Sequence, residues 1–378
     1  MTAPPIHGSP EPPAKPRRRR ELHSSRWPRR LAALALCALV ATGAVGLWAW
    51  REIRRPGPGS AAETTDFVVP PGESARQIFQ RLEREERIRS ALLARVYFQV
   101  GMGAPDLQAG EYAIAAGLST VEVLEKLRRG EIRTVTVTLV EGLNLDETAE
   151  VIAVTGLGEI GRLHAEFASP GRIVDLDPSA PDLEGYLFPD TYHFGRGAGA
   201  REIADTLTAT FRRQYETAVR PLRSAGDRRA LRDLVILASL VEKEAKLDRE
   251  RTLIAAVYAN RLRRGIGLYA DPTIIHALKL LGRWDGNLRK SDLRMESPWN
   301  TYRVAGLPPG PICSPGLASL AAAAQPADVS FLYFVSRNDG SHVFADTLGE
   351  HNRNVERWQK RPWRAPPVSR QETRQELQ

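Results

Sequence analysis

Three segments decide how this chain begins to fold: VVPPGESARQIFQRL (residues 68–82), YAIAAGLSTVEVLEKL (residues 112–127) and VTLVEGLNLDETAEVIA (residues 137–153). In each segment a β-type run ends in a glycine, a capping residue follows two positions later, and Gln or Glu comes three residues after the cap. The glycines are Gly72, Gly117 and Gly142, the caps are Ser74, Ser119 and Asn144, and their partners are Gln77, Glu122 and Glu147. This is the capping-box spacing. It predicts three strand–turn–helix units.

Helical patterns dominate the chain beyond residue 153. They cover residues 200–218, 229–245, 249–265 and 272–281, and β-type runs follow at residues 331–336 and 342–344. Strands at both ends of a mainly helical body predict an α+β fold. We expect a small βα module over residues 66–140 and a larger, mainly helical domain with a few β-strands over residues 141–360. Residues 361–378 are Pro-rich and charged, which predicts a disordered tail.

An uncharged run precedes the folded body: LAALALCALVATGAVGLWAW (residues 31–50). As a helix it spans a hydrocarbon core of about 30 Å. Eight Lys and Arg residues lie in residues 1–30, so the positive-inside rule places the N-terminus in the cytoplasm and the body on the far side of the membrane. A cleaved signal peptide is the alternative, but its apolar region would be shorter and WAWRE is a poor cleavage site. We expect a disordered tail (1–30), a transmembrane helix (31–50) and a linker (51–65).

The net charge of +8 comes mostly from that tail. Residues 1–30 hold eight basic and two acidic residues, and the other 348 of the 378 residues hold 45 basic and 43 acidic ones. A nearly neutral body lacks the field that steers a protein to a polyanion, so no nucleic-acid partner is expected. Cys37 and Cys313 are too few for a disulfide framework or a structural zinc site. A G-x-G-x-x-G at residues 156–161 follows a predicted helix instead of a strand. We therefore expect no cofactor and no metal.

Glu242 is the most suggestive candidate for chemistry. It follows the apolar run LVILASLV (residues 234–241), which predicts a deeply buried helix. A carboxyl at the edge of such a helix is desolvated, which favours its protonated form and suits a general acid. The alternative is a solvated side chain in the charged cluster of residues 242–244. Glu244 lies about 200° further around the helix, and we expect it to point elsewhere.

Several motifs in one order resemble the endolytic murein transglycosylases, the YceG-like family. The matching segments are ASLVEKE (238–244), LEGYLFPDTY (183–192), NRL (260–262), GL (267–268), DPT (271–273), NTY (300–302), GLPPGPI (306–312) and a closing stretch with YFV (333–335), Gly340, His342, Phe344 and EH (350–351). The resemblance covers residues 30–355. Tyr269, Ala270, Trp299 and Cys313 depart from the family pattern, and any of them that line the glycan groove would change subsite preference.

The resemblance implies cleavage of the MurNAc–GlcNAc β-1,4 bond of nascent peptidoglycan without water. A single acid, Glu242, would protonate the glycosidic oxygen and then take the proton from the C6 hydroxyl as a 1,6-anhydro ring closes. Asp271, Asn300, Thr301, Tyr302 and Tyr269 would shape the substrate site. The βα units resemble LysM modules, which implies glycan binding by residues 66–140. Peptidoglycan strands, the inner membrane and the peptidoglycan synthases are the expected partners, with the catalytic domain in the periplasm.

Other interpretations of these residues stay open. A non-catalytic, anchored peptidoglycan-binding scaffold would use the βα units and no acid. A muramidase would use water and leave a reducing end, which is one water heavier than an anhydro end. Asp271 has a structural alternative of its own, because Asp-Pro-Thr is also a good helix start with Asp271 as the cap and Pro272 at the first position.

Overall fold

The computed structural model of the protein describes residues 27–58 and 64–360. The predicted tail at 361–378, and the tail at 1–30 up to residue 26, lie outside the described residues. Two strands pair in each of three small sheets: β1 (Thr64–Val69) with β2 (Gly110–Ala115), β3 (Thr134–Thr138) with β4 (Thr191–Gly195), and β5 (Tyr333–Ser336) with β6 (His342–Ala345). The last two pairs are antiparallel.

The rest of the described chain is mainly helical. The α-helices are α1 (Trp27–Arg54), α2 (Ala75–Arg84), α3 (Ala91–Val96), α4 (Thr120–Arg129), α5 (Leu145–Val154), α6 (Ile160–Phe167), α7 (Ala200–Gln214), α8 (Leu231–Glu244), α9 (Arg251–Arg263), α10 (Asp271–Leu280), α11 (Leu317–Ala324) and α12 (Leu348–Val355). The predicted helical body with a few strands is confirmed at this level.

The three capping boxes are present. Asn144 Oδ1 accepts from the Glu147 amide at 2.8 Å, and Glu147 Oε2 accepts from the Asn144 amide at 3.0 Å. The same reciprocal pair of bonds joins Ser74 with Gln77 and Ser119 with Glu122. The glycines before them have φ of 80°, 86° and 84°, a conformation that favours glycine. Each predicted strand–turn–helix unit is therefore confirmed.

Strand β4 was not predicted. It pairs with β3 from Thr134 opposite Gly195 to Thr138 opposite Thr191, so the third unit uses a strand about 55 residues further along the chain. The buried residues in β4 are only Tyr192 and Phe194. Two alternating positions are too short a pattern to reveal a strand.

Helix α1 extends beyond both predicted ends of the span at residues 31 and 50: it begins at Trp27, within the predicted tail, and ends at Arg54, within the predicted linker. Its stretch Arg30–Arg54 is long and apolar enough to cross a membrane. It is consistent with a single-pass anchor or with a signal sequence.

Contacts among the described residues group the chain into two compact units. One comprises residues 27–58, 64–65, 72–107 and 114–129, and the other comprises residues 66–71, 108–113 and 130–360. The predicted limits of a 66–140 module and a 141–360 domain stay a prediction.

Helix α8 lies at the centre of the larger unit. Its residues Leu234–Val241 are all buried, as predicted, and α8 packs against α9 and α11. Burying a leucine side chain contributes about 1.5–3 kcal/mol, so this run anchors the unit. The carboxylates of the ASLVEKE motif lie in the last turn of α8, where the apolar run ends.

Candidate functional site

Glu242 is a paired, buried carboxylate. Its Oε1 accepts from Arg251 Nη1 at 3.0 Å and its Oε2 accepts from the Gly316 amide at 2.9 Å, and the side chain is 6% exposed. Arg251 also donates to Ser319 in α11 at 2.6 Å. Glu242 therefore ties the end of α8 to the starts of α9 and α11. Both of its oxygens are bonded to donors that the protein itself supplies.

Glu244 is held differently, although it is only two residues away. Its Oε1 accepts one long hydrogen bond, 3.4 Å, from the hydroxyl of Tyr258 in α9. Burial raises the pKa of Glu244 to about 7, the negative charge of Asp271 adds to this, and the Tyr258 bond opposes it. A carboxyl with this pKa exchanges a proton near neutral pH, which is what a general acid and base must do. The residue as a whole is partly exposed.

Three of the predicted substrate residues lie near Glu244. Asp271, exposed in the first turn of α10, accepts from the Tyr302 hydroxyl at 2.6 Å. The Tyr302 ring centre is 5.4 Å from that of Tyr269, which is 49% exposed. The charges of Asp271 and Glu244 act on each other, and Glu244 also acts on Tyr302. The structure therefore brings these predicted residues together with Glu244.

Asn300 and Thr301 are inside the protein. Asn300 donates to the Leu293 and Met295 carbonyls at 3.1 and 2.7 Å and accepts from the Tyr302 amide at 3.0 Å. Thr301 Oγ1 accepts from the Ala270 amide at 3.0 Å. Their exposed fractions are 0% and 1%. These hydrogen bonds hold the loop that carries Tyr302 in place, and they also hold the start of α10 in place.

The cap of α10 is Ala270, without a side-chain hydrogen bond. The alternative interpretation of Asp271 as the cap is therefore wrong by one residue. The amide of Ala270 donates to Thr301 Oγ1. Helix α10 begins one position earlier than the Asp-Pro-Thr pattern indicates. This leaves the Asp271 carboxylate to accept from Tyr302.

The departures from the family pattern lie in different places. Trp299 lines a cavity of about 250 Å³ and its ring centre is 4.4 Å from that of His276. Cys313 is fully buried with its Sγ 3.5 Å from the Ser239 carbonyl, so it packs against α8. Tyr269 is on the surface and Ala270 is buried. Residues 27–58 and 64–360 include no group of three or more His, Cys, Asp or Glu side chains that could hold a metal ion.

Sequence reasoning did not single out Tyr258 or Arg251, and it set Glu244 aside. The helical phase correctly separated the two carboxylates. It could not show which face of α8 meets Arg251 and which meets Tyr258, because both partners come from α9. No signal within α9 could have decided this, because Arg251 and Tyr258 are seven residues, about two turns, apart and so lie on the same face of that helix.

The chain is similar to several known proteins over most of its length. The chain is 29% identical over 324 residues to a protein of Bacillus subtilis (strain 168) named endolytic murein transglycosylase, covering 82% of this chain and 88% of that protein. A protein of the same name from Streptococcus pneumoniae is 28% identical over 317 residues, covering 76% of this chain and 57% of that protein. A crystal structure of a yceG-like protein from Listeria monocytogenes superimposes with a TM-score of 0.51 and 28% identity over 77% of this chain and 99% of that one. The YceG-like family profile matches residues 67–357, and the chain belongs to that family.

Proposed function

We propose that this protein is a membrane-anchored endolytic lytic transglycosylase. It cleaves the MurNAc–GlcNAc β-1,4 bond of nascent peptidoglycan strands, leaves 1,6-anhydro-MurNAc ends and so terminates glycan elongation. The names of the relatives, endolytic murein transglycosylase, support the substrate class. The observation that carries the chemistry is a desolvated carboxyl, Glu244, with a pKa of about 7 beside Asp271 and an aromatic rim.

In this proposal Glu244 is the general acid and base. It protonates the glycosidic oxygen as the bond to C1 of MurNAc breaks. As a carboxylate it then takes the proton of the C6 hydroxyl, whose oxygen closes the anhydro ring on C1. The proton lost in the first step is regained in the second, and no water is consumed. The sequence prediction gave this role to Glu242, whose two oxygens are already bonded to Arg251 and Gly316.

Asp271 and the two tyrosines serve the substrate. The Asp271 carboxylate has the sign of charge that stabilises the positive charge developing at C1. Tyr302 and Tyr269 offer aromatic faces for a sugar ring. Asn300 and Thr301 act behind them as positioning residues, because their polar groups are bonded within the protein.

A pair of matched variants tests the assignment. Glu244→Gln keeps the shape but cannot transfer the proton, so cleavage of purified glycan strands should fall by at least about 10²–10⁴-fold with little change in Tm. Glu242→Gln should lower Tm, because it weakens the buried pair with Arg251. In the double variant with Glu242→Gln and Arg251→Gln, the loss of stability should be smaller than the sum of the losses in the two single variants.

The reverse result would restore the sequence prediction. If Glu242→Gln abolishes cleavage at unchanged Tm while Glu244→Gln stays active, Glu242 is the acid. Product mass decides the reaction, since free reducing ends would show a muramidase in place of a lytic transglycosylase. A wild-type protein that binds strands without cutting them would support the scaffold alternative.

The proposal extends to location and module function. The apolar helix α1 anchors the protein in the inner membrane with the catalytic part in the periplasm, beside the synthases that make new strands. The strand–turn–helix units of residues 66–140 bind glycan in the manner of the LysM modules they resemble. The capping boxes support a folded arrangement there, and the basic residues before α1 support the orientation.

A further inference from the structure

Two arginines are buried in the described part of the chain, and only one has a counterion. Arg251 is paired with Glu242. Arg261, 7% exposed, donates Nε to the Leu332 carbonyl at 2.6 Å and Nη1 to the Leu268 carbonyl at 2.7 Å. No carboxylate within residues 27–58 or 64–360 lies within 4.0 Å of its guanidinium. A buried cation without an anion is costly, so a partner from outside the chain would stabilise it.

The remaining nitrogen of Arg261 is available. Its Nη2 has no acceptor among the described residues, yet it is not one of the polar atoms sealed from solvent. The guanidinium carbon lies 5.5 Å from the Tyr269 ring centre and 5.2 Å from that of Tyr333. Both rings face the cation, and Tyr269 is exposed, so the charge lies at the base of an aromatic opening.

His351 packs against Tyr333 beside this opening. Its ring stacks on Tyr333 with centres 5.1 Å apart, and its Nδ1 is buried with no partner in the described chain. Burial, together with the charge of Arg261, lowers the pKa of His351, so the ring is neutral at neutral pH. The buried Nδ1 is sealed from solvent, so Arg261 Nη2 is the donor that an incoming anion can reach.

The opening adjoins the catalytic group. The charge of Arg261 acts on Tyr258 and Tyr302, and both tyrosines also interact with Glu244. A fixed cation would repel the positive charge that develops at C1. The Arg261 guanidinium therefore needs a substrate anion that keeps its negative charge throughout the reaction. The glycan backbone of peptidoglycan has no formal charge, whereas the peptide stems on MurNAc end in carboxylates.

We propose that Arg261, with Tyr269, Tyr333 and His351 around it, binds a carboxylate of the peptide stem next to the bond that is cut. This inference rests on the proposed function and narrows its substrate class to strands whose stems carry free carboxylates. Strands with amidated stems, and stripped strands whose lactyl carboxylates are amidated, are poor substrates.

The test compares three substrates with the full-length protein: strands with native stems, the same strands after conversion of their carboxylates to amides, and strands stripped of stems by an amidase whose newly freed lactyl carboxylates are then also converted to amides. Wild type should cleave native strands with a kcat/KM at least about tenfold above the other two, as expected for a charge-assisted hydrogen bond. Arg261→Gln should lose that factor on native strands and little on the others. Arg264→Gln, an exposed arginine at the end of the same helix, should behave as wild type.

Two results would overturn the inference. One is equal cleavage of the three substrates by wild type, a measurement that does not depend on how any variant folds. The other is an equal loss on all three in Arg261→Gln, which would show a structural role only. If wild type cleaves none of them, the proposed function itself fails.

Discussion

Two glutamates two residues apart on α8 are held in opposite ways. Glu242 has a cation and a backbone amide on its two oxygens, whereas Glu244 has one long bond from a hydroxyl. Burial without a cation is what raises the pKa of Glu244 to about 7. The Tyr258 hydroxyl is the donor in its bond, because burial and the neighbouring Glu244 raise the pKa of Tyr258 well above its usual value.

Replacing Tyr258 with Phe should move the alkaline limb of the activity profile to higher pH. In the proposed function Glu244 carries a proton when substrate binds, so kcat should fall as the pH rises through its pKa. The Tyr258 hydroxyl lowers that pKa by stabilising the carboxylate, and removing it raises the pKa further. Asp271 and Tyr302 also face this region and are unchanged in the variant. A profile that does not move, measured on glycan strands, would contradict this effect of the hydroxyl.

Glu184 is a second buried acid, and it should make stability depend on pH. Its Oε2 accepts from the Leu145 amide at 3.1 Å, its Oε1 has no partner among the described residues, and burial raises its pKa to about 8. This pKa lies above the pKa of a glutamate in the unfolded chain. The favourable contribution of Glu184 to folding stability is therefore complete below about pH 4 and is lost as the pH rises through about 8.

Glu184→Gln cannot ionise and should remove that loss. The variant should be more stable than wild type at pH 9 by at least about 1 kcal/mol and closer to it at pH 5, as measured by thermal unfolding. Glu150→Gln, an exposed carboxyl on α5, is the control and should change little. A wild type whose Tm is as high at pH 9 as at pH 5 would rule out an ionising buried Glu184.

At the scale of elements, the turn at residues 183–186 has to lie very close to α8. Gly185 has φ of 85°, and a Cβ there would be 2.6 Å from Pro311 Cβ and 2.8 Å from Val235 Cγ1. Gly185→Ala therefore combines backbone strain with overpacking and should destabilise the protein by about 2–4 kcal/mol. Gly197→Ala, where nothing lies within 4 Å, should change stability by less than about 0.5 kcal/mol. Equal Tm values for the two variants would contradict the close packing.

Local sequence signals were enough to predict the strand–turn–helix units. The pairing of distant strands and the partners of the two glutamates depend on long-range packing, which the sequence does not show. A capping box is completed within four residues, so Ser74, Ser119 and Asn144 could be identified without any knowledge of the fold. Strand β4 needed a partner far along the chain. The choice between Glu242 and Glu244 depended on where α9 and α11 dock, which no spacing within α8 records.

The whole molecule combines an apolar N-terminal helix with a nearly neutral body. Eight basic residues lie before the apolar run of this helix, in residues 1–30. This asymmetry should keep the N-terminus in the cytoplasm and place the rest of the chain outside it. A reporter fused after Gln378 that works only when exported should therefore be active. Activity of a reporter that works only in the cytoplasm, fused at the same position, would reverse the orientation.

The pairing of Glu242 with Arg251 also affects how genetic data on this protein should be read. If Glu244 is the proposed acid and base, a screen for loss-of-function alleles should recover changes at both carboxylates, at Glu244 because the chemistry stops and at Glu242 because three helices lose their junction. Phenotype alone does not distinguish these two kinds of allele. Dominance can separate them, since a well-folded but inactive chain still occupies its place in the cell, whereas an unstable chain is degraded and leaves that place to the normal copy.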